Sequence, residues 1–260
     1  MKRLWVMALV GVLLLAAMAC GDDDATSSSG TGGADLDGTV LVLAAASLTD
    51  AFAAVEAAFE AAHPGVDVQL NFAGSSALRE QILEGAPADV FASANESNMS
   101  QVLEAGDLRG EPEIFLRNLL QIAVPAGNPG AVAGLEDFAD GDLLIGLCAP
   151  GVPCGDFARE ALAKAGVEPS IDTNEPDVRA LLTKLGGDEL DAGIVYVTDV
   201  TSAGDLVEGI DIPVEDNVVA DYPIAELAEA PNPDGAAAFV DFVLSDEGKV
   251  ILTSFGFTVP

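Results

Sequence analysis

Basic residues are scarce in this 260-residue chain: 10 lysines and arginines stand against 43 aspartates and glutamates, a formal net charge of −33. Such a surface repels phosphate backbones, which excludes nucleic acid as a natural partner. Histidine is reduced to His63, and cysteine to Cys20, Cys148 and Cys154. That set cannot complete a zinc site, and it leaves a serine nucleophile one imidazole as its base. Phosphate-loop and clustered-carboxylate patterns are missing, and Ala73-Gly-Ser-Ser-Ala77 lacks the flanking glycines of a nucleophile elbow. A serine hydrolase is thus a distant alternative, and the expectation is no enzyme, no metal and no cofactor.

Half of the chain is apolar, enough for a full core and, at this length, for two domains. Met1 to Cys20 stands apart: Lys2-Arg3 form a basic start, Leu4 to Leu15 an apolar run, and Ala16-Ala-Met-Ala-Cys20 a small-residue site ending in cysteine. This reads as a lipoprotein signal peptide with Cys20 as the lipidated residue. The apolar run is short of the roughly 20 residues of a membrane span. Residues 21–38 are mostly Asp, Ser, Thr and Gly and read as a flexible tether with a reach of about 20–25 Å. The expected location is the outer face of the cell membrane, with the lipid as anchor and the folded part a monomer. In that oxidising compartment Cys148 and Cys154 form an even pair, better explained by a disulfide than by two free thiols.

From Thr39 onward short apolar strands alternate with helical patterns, the signature of a wound α/β sheet. The strand Val40-Leu-Val-Leu-Ala44 turns through Ala45-Ala46 into Ser47-Leu-Thr-Asp50, a capping-box-like helix start. Leu48, Ala51, Phe52, Val55 and Phe59 then share one helical face. A second strand, marked by Val66, Val68, Leu70 and Phe72, leads through Ala73-Gly-Ser-Ser76 to a helix from about Ser76. Further strands are predicted at 87–92, 119–124, 143–147 and 192–197. Helices are predicted at 98–105, 156–165, 174–185 (Asn174 as cap), 235–244 and 246–255. Two strands that each deliver a serine onto a helix N-terminus form an anion-receiving geometry, since free N–H groups and the positive dipole end point there. The predicted ligand is a small oxyanion. Exposed carboxylates are screened within about 8–10 Å, whereas neutral donors in a desolvated cleft act at contact distance. His63, before Pro64, reads as a solvated turn residue, and Arg179 as a first-turn arginine facing an acidic surface.

Six ordered blocks carry a resemblance: Val42-Leu-Ala-Ala-Ala-Ser-Leu-Thr-Asp-Ala51, Phe72-Ala-Gly-Ser-Ser-Ala-Leu78, Gly85-Ala-Pro-Ala-Asp-Val-Phe91, Val152-Pro-Cys-Gly155, Asp177-Val-Arg-Ala-Leu181 and Gly193-Ile-Val-Tyr196. Together they resemble the binding proteins of molybdate ABC importers. The resemblance implies an α/β, two-lobed type II periplasmic-binding-protein fold, with a ligand cleft between lobes and two chain crossings, near Asn118 and Tyr222. Lobe 1 would hold 39–118 plus 222–260, and lobe 2 119–221. It also implies high-affinity molybdate binding, with tungstate as a second ligand, and delivery to an ABC permease; sulfate or phosphate is the alternative cargo. By motif position, Ser47 and Ser75 would offer hydroxyl and N–H, Cys154 and Val178 their N–H groups, and Tyr196 its phenol. All five are placed at carboxyl ends of strands, where ligands of open α/β sheets bind.

Overall fold

The computed structural model describes residues 36–260; the signal peptide, Cys20 and nearly all of the tether lie outside the described residues. The chain begins β1 (Gly38–Ala45), a 3-10 turn (Ala46–Leu48), α1 (Thr49–Ala62), β2 (Val66–Ala73), α2 (Ser75–Leu83), β3 (Val90–Ala92) and α3 (Glu96–Ala105). The long strand β4 (Glu113–Pro125) follows, then β5 (Ile145–Cys148), α4 (Pro153–Lys164), β6 (Thr173–Glu175), α5 (Val178–Gly186) and β7 (Ala192–Tyr196). Last come α6 (Val197–Ala203), β8 (Val207–Asp211), β9 (Val219–Glu226), α7 (Pro233–Leu244) and α8 (Asp246–Ser254).

The strands join in the order β2-β1-β3-β9-β4-β7-β5-β6, with β8 also on β4. β1 runs parallel to β2 and β3, and β5 parallel to β6 and β7. β4 connects the two sets. It pairs antiparallel with β9 over Glu113–Leu119, then with β7 over Leu120–Ala123 and β8 over Gln121–Pro125. At the changeover Asn118 Nδ2 donates to Thr198 Oγ1 at 2.8 Å, and Arg117 exchanges backbone bonds with Thr258 near the C-terminus.

The local chemistry explains most of these elements. On the edge strand β2, Val66 and Val68 turn inward while Asp67 and Gln69 face out, the two-residue period of a half-buried strand. The apolar face of α1 is buried as its spacing predicts, with Phe52 tilted on Phe115 and Phe239 packed edge-on against Phe52 and Phe59. A second cluster of Leu43, Leu78, Phe91 and Met99 lies under α2 and α3.

Three expectations need correction. The helix predicted from Asn174 begins later. Thr173–Glu175 is instead β6, and Asp177 caps α5 by accepting from Ala180 N at 2.9 Å. Pro176 ends the strand, and the competing cap three residues on wins. Ser47 does not cap α1, whose N-cap Leu48 has no side-chain bond. Strands β8 and β9 go beyond those the sequence pattern marks; in β9 Pro223 sits in mid-run where a ladder N–H is required. The structure accommodates it with a register shift between Ile114 and Leu116 of β4, and Pro223 O accepts from Ser93 N.

Phe239, fully buried between Phe52 and Phe59, is expected to carry much of the packing among α1, α7 and the sheet. Phe239→Ala should lower the unfolding free energy by about 3–5 kcal/mol, measured as a shift in urea midpoint at unchanged slope.

Candidate functional site

Four strand-to-helix junctions meet at one small cavity. β1 delivers Ala45, Ala46 and Ser47; β2 delivers Gly74 and Ser75; the segment after β5 supplies Val152, Pro153 and Cys154; and β6 leads to Asp177 and Val178. Tyr196 at the end of β7 and Ala94 after β3 complete the wall. All five residues that sequence reasoning proposed for the ligand therefore line a single cavity. Its free volume is only about 10 Å³. That is room for about one water, so a larger solute enters only when the walls part.

The donor set follows from helix geometry. Ser75 and Val178 are the first residues of α2 and α5, Cys154 the second of α4, and Ser47 the second of its 3-10 turn. N–H groups at these positions have no acceptor within their own helix. Three α-helix N-termini converge, each contributing partial positive charge where the free N–H groups are.

The hydroxyls are oriented by partners outside their own helices. Ser75 Oγ accepts from Ala94 N at 3.0 Å, and Ser47 Oγ is 2.9 Å from Tyr222 Oη. With Tyr222 donating, each serine keeps its own proton for another acceptor. Burial pushes the phenols of both Tyr222 and Tyr196 above their ordinary range. Both rings stay protonated, and Tyr196 Oη, fully buried, has no partner among the described residues. A buried hydroxyl left in that state beside a cavity is costly unless a ligand accepts its proton. The one carboxylate in the wall, Asp177, spends Oδ1 on Ala180 N. The cavity can therefore take an anion by hydrogen bonds from uncharged groups.

The segment carrying Cys154 is fixed on several sides. Its sulfur is bonded to that of Cys148, closing a loop between β5 and α4. Arg159 donates at 2.8 Å to both Cys148 O and Gly155 O, and at 2.6 Å to Asn174 Oδ1. A Cβ on Gly155 would lie 2.2 Å from Ala149 O, so helix and strand end touch backbone to backbone. Gly74 plays the same part between β2 and α5, since a Cβ there would lie 2.6 Å from Pro176 O.

Sequence reasoning missed Tyr222, Ala94 and Gly74. Tyr222 had a signal: the chain has only two tyrosines, and the structure packs them edge to face with ring centroids 6.0 Å apart. Arg179 is not a lone surface arginine. It pairs with Asp50 at 2.7 Å and faces the buried Asp199 at 3.6 Å. His63 is half-buried and tilted against Phe59, ring centroids 4.6 Å apart.

The sequence model of bacterial extracellular solute-binding proteins matches residues 40–258. This chain belongs to that family. It is 36% identical over 252 residues to the molybdate-binding protein ModA of Mycobacterium tuberculosis, covering 97% of each chain. The periplasmic molybdate-binding protein of Azotobacter vinelandii has a similar structure, with TM-score 0.75, 18% identity, and 85% of this chain and 99% of that chain covered. The sulfate-binding protein SubI of M. tuberculosis matches equally in fold, with TM-score 0.75, 19% identity, and 85% and 86% covered. The family binds solutes rather than transforming them, and the mixed α/β fold is that of periplasmic binding proteins. Among the described residues no helix is long and apolar enough to cross a membrane, and no group of His, Cys, Asp and Glu is placed to hold a metal ion.

Asp199 behind Tyr196 gives a pH test. Its Oδ2 accepts from Tyr196 N at 3.1 Å. Burial raises its pKa from 3.8 to about 7, against the lowering pull of Arg179. A folded pKa above the unfolded one means that stability is full below about pH 4 and is lost as pH rises to about 7. Asp199→Asn should therefore gain roughly 2–3 kcal/mol relative to wild type between about pH 5 and pH 8, read by urea unfolding at both values. An unchanged difference would show that Asp199 ionises as freely folded as unfolded.

Proposed function

We propose that this chain captures molybdate, and tungstate with it, outside the cytoplasmic membrane and hands it to the permease of an ABC importer. The observation that carries the reading is the convergence of Ser47, Ser75, Cys154, Val178 and Tyr196 on one cavity of neutral donors. The 36% identity over nearly the whole chain to a molybdate-binding protein supports the choice of cargo. Sulfate is the second reading, because the fold is equally like that of a sulfate-binding protein. Phosphate fits less well: near neutral pH it carries a proton that needs an acceptor, and the serines and Tyr196 are set to donate.

In this reading lobe 1 is residues 39–118 with 222–260, and lobe 2 is 119–221. The pairing of β4 first with β9 and then with β7 and β8 supports a boundary near Asn118, and the donors divide accordingly. Ser47 and Ser75 belong to lobe 1; Cys154, Val178 and Tyr196 belong to lobe 2. The protein works as a monomer held to the membrane through lipid on Cys20.

Calorimetric titration with molybdate, tungstate, sulfate and phosphate tests the cargo; binding of sulfate but not molybdate would overturn it. Ser47→Ala and Ser75→Ala should each weaken molybdate binding by about 1–3 kcal/mol, the cost of losing a hydrogen bond to a charged group. Unchanged affinity in both would remove the serines from the site. Gly74→Ala should weaken binding as well, by placing a methyl group against Pro176 O and holding the lobes apart, while the melting temperature of the ligand-free protein changes little.

A further inference from the structure

Beside the anion cavity lies a wider one of about 370 Å³ that shares Ser47 with it. It is bounded by Ser47, Asp50 and Phe257 on one side and by Arg179, Thr198 and Ser202 on the other. Arg179 and Ser202, bonded to each other, both reach across the gap to Asp50. Arg179 Nη2 lies 2.7 Å from Asp50 Oδ2 and Arg179 Nη1 3.0 Å from Ser202 Oγ, while Ser202 Oγ also donates to Asp50 Oδ2. On its inner edge Arg179 Nε lies 3.6 Å from Asp199 Oδ1.

We propose that Arg179 and Asp50 are positioning residues, a latch that holds the cleft shut over the bound anion. The inference rests on the two-lobed reading above, which puts Asp50 in one lobe and Arg179, Ser202 and Asp199 in the other. Its place in the chain is what gives it leverage. Asp50 follows Ser47 by three residues at the start of α1, and Arg179 follows Val178 directly at the start of α5. Drawing these side chains together brings one donor junction of each lobe up to the cavity, so the latch and the full donor set form in the same movement. Arg179 Nε faces Asp199 Oδ1 at 3.6 Å, beyond hydrogen-bond length, and the guanidinium spends its two Nη groups on Asp50 and Ser202. Parting the lobes breaks the two bonds to Asp50, from Arg179 and from Ser202, and exposes those groups to water.

The latch predicts a result of the opposite sign to simple electrostatics. Asp50 is a negative charge near an anion site, so its neutralisation alone would favour the anion. A lost latch instead speeds release. Stopped-flow measurement of molybdate on Asp50→Asn should show an off-rate raised about three- to ten-fold, the effect of a partly exposed ion pair with its hydrogen bonds, at an on-rate equal to or above that of wild type. Arg179→Lys keeps the charge and loses the fork, and should act in the same direction. Combined with Asp50→Asn it should add little, as expected of two partners in one interaction. Small-angle X-ray scattering of the ligand-free proteins gives a readout that needs no binding: both variants should have a larger radius of gyration than wild type, at an unchanged melting temperature. Tighter molybdate binding by Asp50→Asn, or a radius of gyration equal to that of wild type in both variants, would overturn the latch. A wild type that binds no molybdate would overturn the proposed cargo alone, because scattering still reports on the latch.

Discussion

Everything in this structure depends on supplying several hydrogen-bond donors to one point without using a positive charge. An anion taken from water loses its hydration, and a dry cavity must replace those bonds or bind nothing. In the proposed site the replacements are mostly backbone N–H groups at the starts of helices. A backbone donor cannot be aimed by a rotamer; it points where its helix starts. Its direction is set by the strand before the helix, by the order of strands in the sheet, and by how closely the junction packs. The approach at Gly155 and the Cys148–Cys154 bond belong to this requirement. Each fixes a junction that presents a donor.

Neutral donors also reconcile the site with a chain of net charge −33. Carboxylates on the solvated surface are screened over about 8–10 Å, while the donors act at contact. The guanidinium of Arg179, the residue after Val178, is turned to Asp50 and Asp199 rather than to the cavity. The acidic surface and the proposed anion site are compatible because charge and hydrogen bonding work over different distances.

Much of this was legible in the residues, and the gaps have physical causes. Ser47 and Ser75 stood out because apolar strand runs end in small residues and then in amphipathic helices, and the cavity lies where those junctions meet. What the serines bond to was not legible, since Tyr222 is 175 residues from Ser47 and Ala94 belongs to a different strand-to-helix turn. Local pattern suggested caps, and tertiary partners displaced them. Strand β9 escaped because Pro223 breaks the expected ladder, and only its neighbour β4 shows how the break is absorbed. Arg179 looked like an ordinary first-turn arginine because Asp50, its partner, lies 129 residues away.

A cage of this kind would also account for release. If the donors came from one rigid wall, affinity would decline gradually as the opposite wall withdrew. With Ser47 and Ser75 on one half and Cys154, Val178 and Tyr196 on the other, as proposed, parting the halves by a few ångströms would take away a whole group of bonds at once, because hydrogen bonds weaken steeply beyond about 3.5 Å. The anion then faces water on one side and too few donors on the other. Release becomes a matter of geometry rather than chemistry, and whatever holds or parts the two halves governs it. A positively charged clamp would have a longer reach and a shallower loss, and would be poorly suited to handing its cargo on.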